Sequence, residues 1–233
     1  MVIIKLRLKE RIFGSFMEKR RKNMKKNKTL KKLLCVLLAA LMISIIAMPA
    51  FAKSDAPVAR LSVVSYVKNI VSHGHSWLYI ENISKKTLTV GVYELKPGEA
   101  VSVGTFKYSR KEGKGIYYNV ELYCNEHYGA NGRYSLTTEI TESQLASVSK
   151  KINNYGSKWT PVKNCAYFVA NVWNGISSIR LISGSTPSCL KTSIRLHGGK
   201  RNIAMQGITA DKVFKQKGSS LVQVRSSALS SGL

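Results

Sequence analysis

Residues 164–175 read NCAYFVANVWNG, and this stretch predicts a helix with one buried face. Its apolar positions recur at the three-and-four spacing of a helical surface: Phe168, Val169, Val172, Trp173 and Ile176. Cys165 lies on the same face, one turn before Phe168, where the helix dipole and unpaired backbone amides favour a thiolate over a thiol. The alternative is a structural thiol, because free cysteine is among the most buried residue types.

The segments that precede this helix have the alternation of β-strands. HSWLYIEN (75–82), TLTVGVYEL (87–95) and EAVSVGTF (99–106) are separated by turn-forming ISKKT and KPG. GIYYNVELYC (115–124) and GANGRYSLTTEI (129–140) predict two further strands. We expect these strands to form an antiparallel meander. Residues 53–72 have mixed periodicity and predict only a lead-in segment.

Two more helices and a late strand complete the predicted elements. Thr141 precedes Gln144 by three residues, which is the spacing of a capping box, and Gly156 ends that helix. Pro187 suits the first position of a third helix, and SSLVQV (219–224) is strand-like. The sheet therefore largely precedes its helices, which predicts an α+β fold with an antiparallel β-sheet packed against helices.

The first 52 residues predict export. A lysine-rich segment is followed by an apolar run, and Ala50 and Ala52 form the A-x-A pattern of a cleavage site. We place the start at Met24 and cleavage after Ala52, so that residues 1–23 are an extension and 73–233 form a single domain. An uncleaved anchor is the alternative, because the apolar run is close to the short limit for a membrane span. The expected location is secreted or associated with the cell envelope, with membrane contact only through the signal segment.

The exported part is strongly basic. Of 37 Lys and Arg and 12 Asp and Glu, 13 and 2 fall in residues 1–52, so the remainder carries 24 and 10, a formal charge of +14. Such a charge favours an anionic cell-envelope polymer as a partner, although it also aids solubility. The lysines are scattered without a nucleic-acid-binding motif, so we expect no nucleic acid partner. We expect a monomer.

Three cysteines remain after cleavage: Cys124, Cys165 and Cys189. An odd number in an oxidising compartment predicts one free thiol. A disulfide between Cys124 and Cys189 would leave Cys165 free, and the alternative is that all three are reduced.

A nucleophilic cysteine needs a nearby base, usually histidine. His75 begins the first predicted strand, where alternation places it on one face with Trp77 and Tyr79, and Ser76, Leu78 and Ile80 on the other. His73 is the nearest substitute, and His127 and His197 lie in predicted exposed segments.

A metal site is the competing use of these residues. His73 and His75 form an H-x-H pair, and Cys124 and His127 have C-x-x-H spacing. No second pair follows at a zinc-finger distance. We therefore expect neither a metal nor another cofactor.

GHSWLYIEN (74–82) followed by NCAYFVANVWN (164–174) resembles the circularly permuted branch of the papain-like NlpC/P60 superfamily, which includes the lecithin retinol acyltransferase group. The resemblance spans residues 73 to about 196. It implies a permuted papain-like fold, with Cys165 as the nucleophile and His75 as the general base. The implied activity is a secreted bacterial cysteine peptidase or amidase acting on amide bonds of peptidoglycan peptide or a related envelope substrate, or an acyltransferase.

The residue that would orient His75 is less well defined. A turn near Ser84 would place residues 92–94 opposite His75, and Val92 cannot orient an imidazole. Tyr93 is the first candidate and Glu94 the alternative. The fallback candidates are Asn119 and Glu121. The valine also favours a second hypothesis, a non-catalytic basic envelope-binding domain on the same fold.

Overall fold

The described part of the chain forms a mostly antiparallel β-sheet with helices packed against it. The computed structural model describes residues 56–67, 74–106, 113–121, 131–182, 186–205 and 212–224. The strands are β1 (Ala59–Tyr66), β2 (His75–Asn82), β3 (Leu88–Val90), β4 (Tyr93–Leu95), β5 (Ala100–Phe106), β6 (Gly115–Tyr118), β7 (Arg133–Ile140), β8 (Lys200–Arg201), β9 (Phe214–Lys217) and β10 (Ser220–Gln223). The helices are α1 (Glu142–Tyr155), α2 (Cys165–Trp173) and α3 (Pro187–Leu196). The predicted α+β class is confirmed.

The main sheet has eight strands within the described residues, in the order β10-β9-β6-β5-β2-β1-β7-β8. β1 pairs with β2 along its whole length, from Ala59 opposite Asn82 to Tyr66 opposite His75. β2 pairs on its other side with β5, from Leu78 opposite Val103 to Glu81 opposite Ala100. Both pairings are antiparallel, and β2 lies in the middle of the sheet between β5 and β1.

The expectation that residues 53–72 are only a lead-in segment is wrong for β1. This strand is buried at every residue except the partly exposed Arg60. A strand that is covered on both faces shows no polar alternation, which is why the sequence pattern did not identify it.

Each face of the sheet is covered by a different set of side chains. We call one face of the sheet the helix face, because its side chains share one core with the helices. Its residues are Leu61, Val63, Leu78, Ile80, Val101 and Val103. The opposite face, here called the aromatic face, carries a second core: Val64, Tyr66, Trp77, Tyr79, Phe106 and Tyr117, with Val120, Val213 and Val224. Alternation therefore sends neighbouring residues of β2 into two different cores.

The segment predicted as one strand over 87–95 is a hairpin instead. Gly91 has φ 64°, in the left-handed region, and divides the segment into β3 and β4. This hairpin is a separate two-stranded sheet. The expected pairing of β2 with residues 92–94 is therefore not formed, because the partners of β2 are β1 and β5.

The predicted helix starts are confirmed in detail. The Thr141 side chain accepts a hydrogen bond from the Gln144 backbone, and the Gln144 side chain accepts one from the Thr141 N–H at 3.0 Å. Pro187 occupies the first turn of α3, which Thr186 caps. Among the described residues, no helix is both long and apolar enough to cross a bilayer.

Several sequence predictions fall outside the described residues. They are the signal segment with its start and cleavage site, the metal-ligand candidates His73, Cys124 and His127, and the C-terminal part of the strand predicted over 115–124. That strand ends at Tyr118, and Asn119 follows it with φ 60°.

Replacing Gly91 with alanine should destabilise the protein more than the same change at Gly98. Both glycines have left-handed φ, so each alanine costs about 1–2 kcal/mol in backbone strain. An added Cβ at Gly91 would lie 2.1 Å from the Tyr118 hydroxyl, whereas nothing lies within 4 Å of one at Gly98. We expect overpacking to add about 1–3 kcal/mol at Gly91. Urea unfolding midpoints measure the difference, and equal midpoints would contradict the hairpin contact.

Candidate active site

Helix α2 begins with a well-formed cap that fixes the position of Cys165. The Asn164 side chain accepts hydrogen bonds from the backbone N–H of Ala166 at 3.0 Å and of Tyr167 at 3.2 Å. The same side chain donates to the Pro161 carbonyl at 3.0 Å. The helix then packs on β2, β5 and β1 through its apolar face. The predicted helix is therefore confirmed, and Cys165 is its first residue.

The Cys165 sulfur lies beside the start of β2. Hydrogen bonding from the backbone amides of Ser76, Ala166 and Cys165 itself lowers the pKa of this thiol. The ladder between β2 and β5 begins at Leu78, two residues after Ser76. The sulfur therefore lies beside the part of β2 that precedes this ladder, next to the residue that follows His75.

Burial dominates the electrostatics of this thiol. Cys165 is 7% exposed. Loss of solvent raises the pKa of Cys165 to about 11, and the hydrogen bonds from the Ser76, Ala166 and Cys165 amides lower it only in part. The group is consequently a neutral thiol at pH 7.

Tyr155 from α1 forms the other wall of this site. Burial raises the pKa of its hydroxyl, and the nearby Cys165 raises it further. The Tyr155 hydroxyl donates to the Lys163 carbonyl, in the loop that leads into α2. Its ring packs on Phe168 with the centroids 4.9 Å apart. Tyr155 therefore ties the loop to the helix beside the sulfur.

His75 starts β2 as predicted, but its ring belongs to the aromatic face. It stacks on Phe106 with the ring centroids 4.4 Å apart, and on Trp77 at 6.1 Å. Burial lowers the pKa of His75 to about 3, so its imidazole is neutral at pH 7. Although both residues are described, no hydrogen bond joins Cys165 to His75. The structure brings their backbones to the same end of β2 and their side chains to opposite faces.

The two candidate orienters of His75 lie elsewhere. Tyr93 stacks on Tyr118 at 5.7 Å and contacts Phe214, within the helix-face core. Glu94 is exposed on β4. Neither lies next to His75, because the pairing that would have placed them there is not formed.

The fallback candidates have structural partners of their own. Asn119 donates to the Lys212 carbonyl at 2.6 Å and to the Tyr93 hydroxyl at 3.3 Å. Glu121 is fully buried and forms an ion pair with the buried Arg133. Both side chains hold segments of the fold together.

Two further predictions from the sequence concern the thiol of Cys189 and a metal site. Cys189 is a free, exposed thiol, and Cys124, its predicted disulfide partner, lies outside the described residues. Within the described ranges, no group of three or more His, Cys, Asp or Glu side chains is arranged to hold a metal ion.

Two residues beside the sulfur were missed from the sequence: Ser76 and Tyr155. The alternation of β2 does contain a signal for Ser76, since it puts this residue on the same face as Leu78 and Ile80. That face packs against the apolar side of α2, so a β2 residue near Cys165 had to come from it. Tyr155 depends on a contact between distant segments, which no local pattern reports.

Comparison with known proteins gives no assignment. No protein-family model, no curated protein and no solved structure matches the chain.

Alkylation of Cys165 should be slow at neutral pH. In a variant whose other cysteines are serine, we expect the rate with iodoacetamide at pH 8 to be more than about a hundredfold below that of a free thiol, because the thiolate is scarce. The rate should still be rising above pH 10. A matched variant that retains only the exposed Cys189 is the control. Half-maximal reactivity near pH 7 would contradict the buried neutral thiol.

His75 should make stability depend on pH below neutrality. Its folded pKa of about 3 lies below the ordinary value of 6.5, so the unfolded chain binds one more proton between these values. The stabilisation is complete above pH 6.5 and falls by about 1.4 kcal/mol per unit as the pH decreases.

The variant His75→Phe should lose this slope between pH 6.5 and 5, and His197→Gln, which changes an exposed histidine, should keep it. Urea unfolding at each pH gives the free energies. Equal slopes in the wild type and His75→Phe would show that the imidazole is not held neutral.

Proposed function

We propose that the protein is a secreted cysteine hydrolase that cleaves amide bonds of cell-wall peptide or a related envelope substrate, with Cys165 as nucleophile and His75 as general base. The observation that carries the proposal is the group of backbone N–H donors at the sulfur: Ser76, Ala166 and Cys165. Donors placed in this way also stabilise the oxygen anion that forms when a carbonyl is attacked. The permuted order of the two motifs supports the same reading.

The proposed reaction starts from two neutral groups. The imidazole takes the thiol proton as the sulfur attacks the carbonyl carbon, and an S–C bond forms. The amide C–N bond then breaks, and the imidazolium gives its proton to the leaving amine. Water attacks the thioester next, and its proton passes through His75 to the departing sulfur. A free carboxylic acid and the original thiol result.

This reaction requires the imidazole to turn toward the sulfur, past the start of the β2–β5 ladder at Leu78. The sulfur lies on the helix face, beside the Ser76 amide. His75 lies one residue earlier, and a Cβ placed at Gly104 would lie 3.4 Å from its Nε2. The absence of a side chain on Gly104 leaves room for the ring at the edge of β5.

A second function is favoured by a specific observation. The neutral pair on opposite faces, joined by no hydrogen bond, is what a domain without catalytic activity would also have. Such a domain would use its excess of positive charge to bind an anionic envelope polymer. An acyltransferase remains a variant of the first proposal, in which an amine or alcohol replaces water.

Hydrolysis should depend on Cys165 and not on the other described thiol. Peptidoglycan fragments incubated with the purified protein should yield shorter peptides by mass spectrometry. Cys165→Ala should abolish them, and His75→Asn should slow their release by about a hundredfold or more. Cys189→Ser is the matched control and should leave the rate unchanged.

Identical peptides from the wild type and Cys165→Ala would rule out hydrolysis of these substrates and favour the binding domain. Products that carry an added amine would identify acyl transfer instead.

A further inference from the structure

Residues 143–210 contain nine Lys and Arg and no Asp or Glu. This stretch includes most of α1 and all of α2, α3 and β8. Among the described residues, the acidic side chains lie before it, on β2, β4, β7, the N-terminus of α1 and the intervening loops. Any cationic cluster in the acid-free stretch therefore has its counter-charges on other elements.

Two of these cations lie over one aromatic ring, and a third pairs with the same tyrosine across the sheet. Lys191 and Arg195 are one turn apart on α3, and they lie over the Tyr134 ring with their charged groups 5.4 Å and 5.3 Å from its centroid. Arg201 is on β8, directly opposite Tyr134 in the pairing with β7. We call Lys191, Arg195 and Arg201 the cationic cluster.

The cationic cluster has no acidic partner in the described part of the chain. Salt bridges there join Arg60 to Glu81 and Glu139, and Arg133 to Glu121. Burial lowers the pKa of Lys191, and the charges of Arg195 and Arg201 lower it further. Like charges held this close without a counter-ion repel each other, and an anionic ligand would relieve that repulsion.

We propose that the cationic cluster binds the phosphate groups of a linear polyol-phosphate polymer of the cell envelope. Arginine presents a planar fork that suits phosphate oxygens, and Arg195 and Arg201 are both exposed. Lys191 and Arg195 are spaced by one helical turn, which lets neighbouring groups of an extended chain contact successive cations. The choice of an envelope polymer rests on the proposed export, but none of the three cations takes part in the proposed hydrolysis, so this proposal does not depend on Cys165.

Two other polyanions fit the surface less well. A membrane-binding helix inserts an apolar face, but Leu190 and Ile194 of α3 are already buried against the sheet, which leaves Leu196 as the exposed apolar residue of this helix. Single-stranded nucleic acid needs open aromatic faces for base stacking. The Tyr134 ring is instead covered by Lys191 and Arg195.

The test compares the double variant Arg195→Gln/Arg201→Gln with the control variant Lys85→Gln/Lys96→Gln. The control removes two exposed lysines that lie earlier in the sequence, outside the cationic cluster. The probe is a fluorescent glycerol-phosphate oligomer, titrated with the purified full chain at several salt concentrations. The cluster variant should bind about tenfold more weakly and show a salt slope that is lower by about 1.4, whereas the control variant should stay close to the wild type.

Circular dichroism and the thermal midpoint check that both variants are folded, and Lys191→Gln provides a second, single-site reading of the cationic cluster. Equal weakening in the two double variants would overturn the proposal, because it would show binding to overall charge. Tighter, cluster-dependent binding of phosphatidylglycerol vesicles or of DNA would overturn it in favour of that partner. Cys165→Ala should bind the oligomer normally, so that failure of the hydrolase proposal leaves this result intact.

Discussion

The burial of β2 on both faces is the constraint on which the rest of the structure depends. Leu78 and Ile80 enter the core under the helices, while Trp77 and Tyr79 enter the aromatic core. Each fully buried side chain of this kind contributes about 1.5–3 kcal/mol, so a shift by one residue would exchange the two cores and lose most of that stabilisation. The register of β2 is thereby fixed against both β1 and β5. Because the register is fixed, the faces of Ser76 and His75 are fixed as well.

The elements that depend on local chemistry could be predicted from the sequence. The capping box at Thr141 and Pro187 at the start of α3 need only a few neighbouring residues, and the structure has them as predicted. The strand that the sequence missed, β1, is apolar on both sides and lacks the alternation that marks a half-buried strand. The pairing of β2 with β5 was missed for a different reason. The hairpin of β3 and β4 lies between β2 and β5 in the sequence. The sequence alone does not show that the chain turns at Gly91 and that β2 pairs with the later strand.

The candidate site shows the same division between local and distant information. The position of Cys165 at a helix N-terminus follows from helical periodicity and the asparagine before it. The residues beside its sulfur come from β2 and α1, which are far apart in the sequence. Tyr93 and Glu94 were chosen on the assumption that β2 pairs with the next strand along the chain. Once that pairing is lost, the reason for assigning them to His75 is lost with it.

The burial that stabilises the sheet also decides what chemistry can occur at Cys165 and His75. Desolvation disfavours both a thiolate at Cys165 and an imidazolium at His75, and it outweighs three hydrogen bonds to the sulfur. A preformed pair of thiolate and imidazolium would therefore have to overcome the desolvation of both charged groups. If the proton moves only during attack, charge develops when the carbonyl oxygen is present to share the backbone N–H donors. The cationic cluster differs, since its two arginines are exposed to water. Binding of an anionic polymer and reaction at a buried sulfur would make incompatible demands on solvent. The exposed cluster lies on α3 and β8, whereas the buried sulfur lies at the start of α2, beside β2.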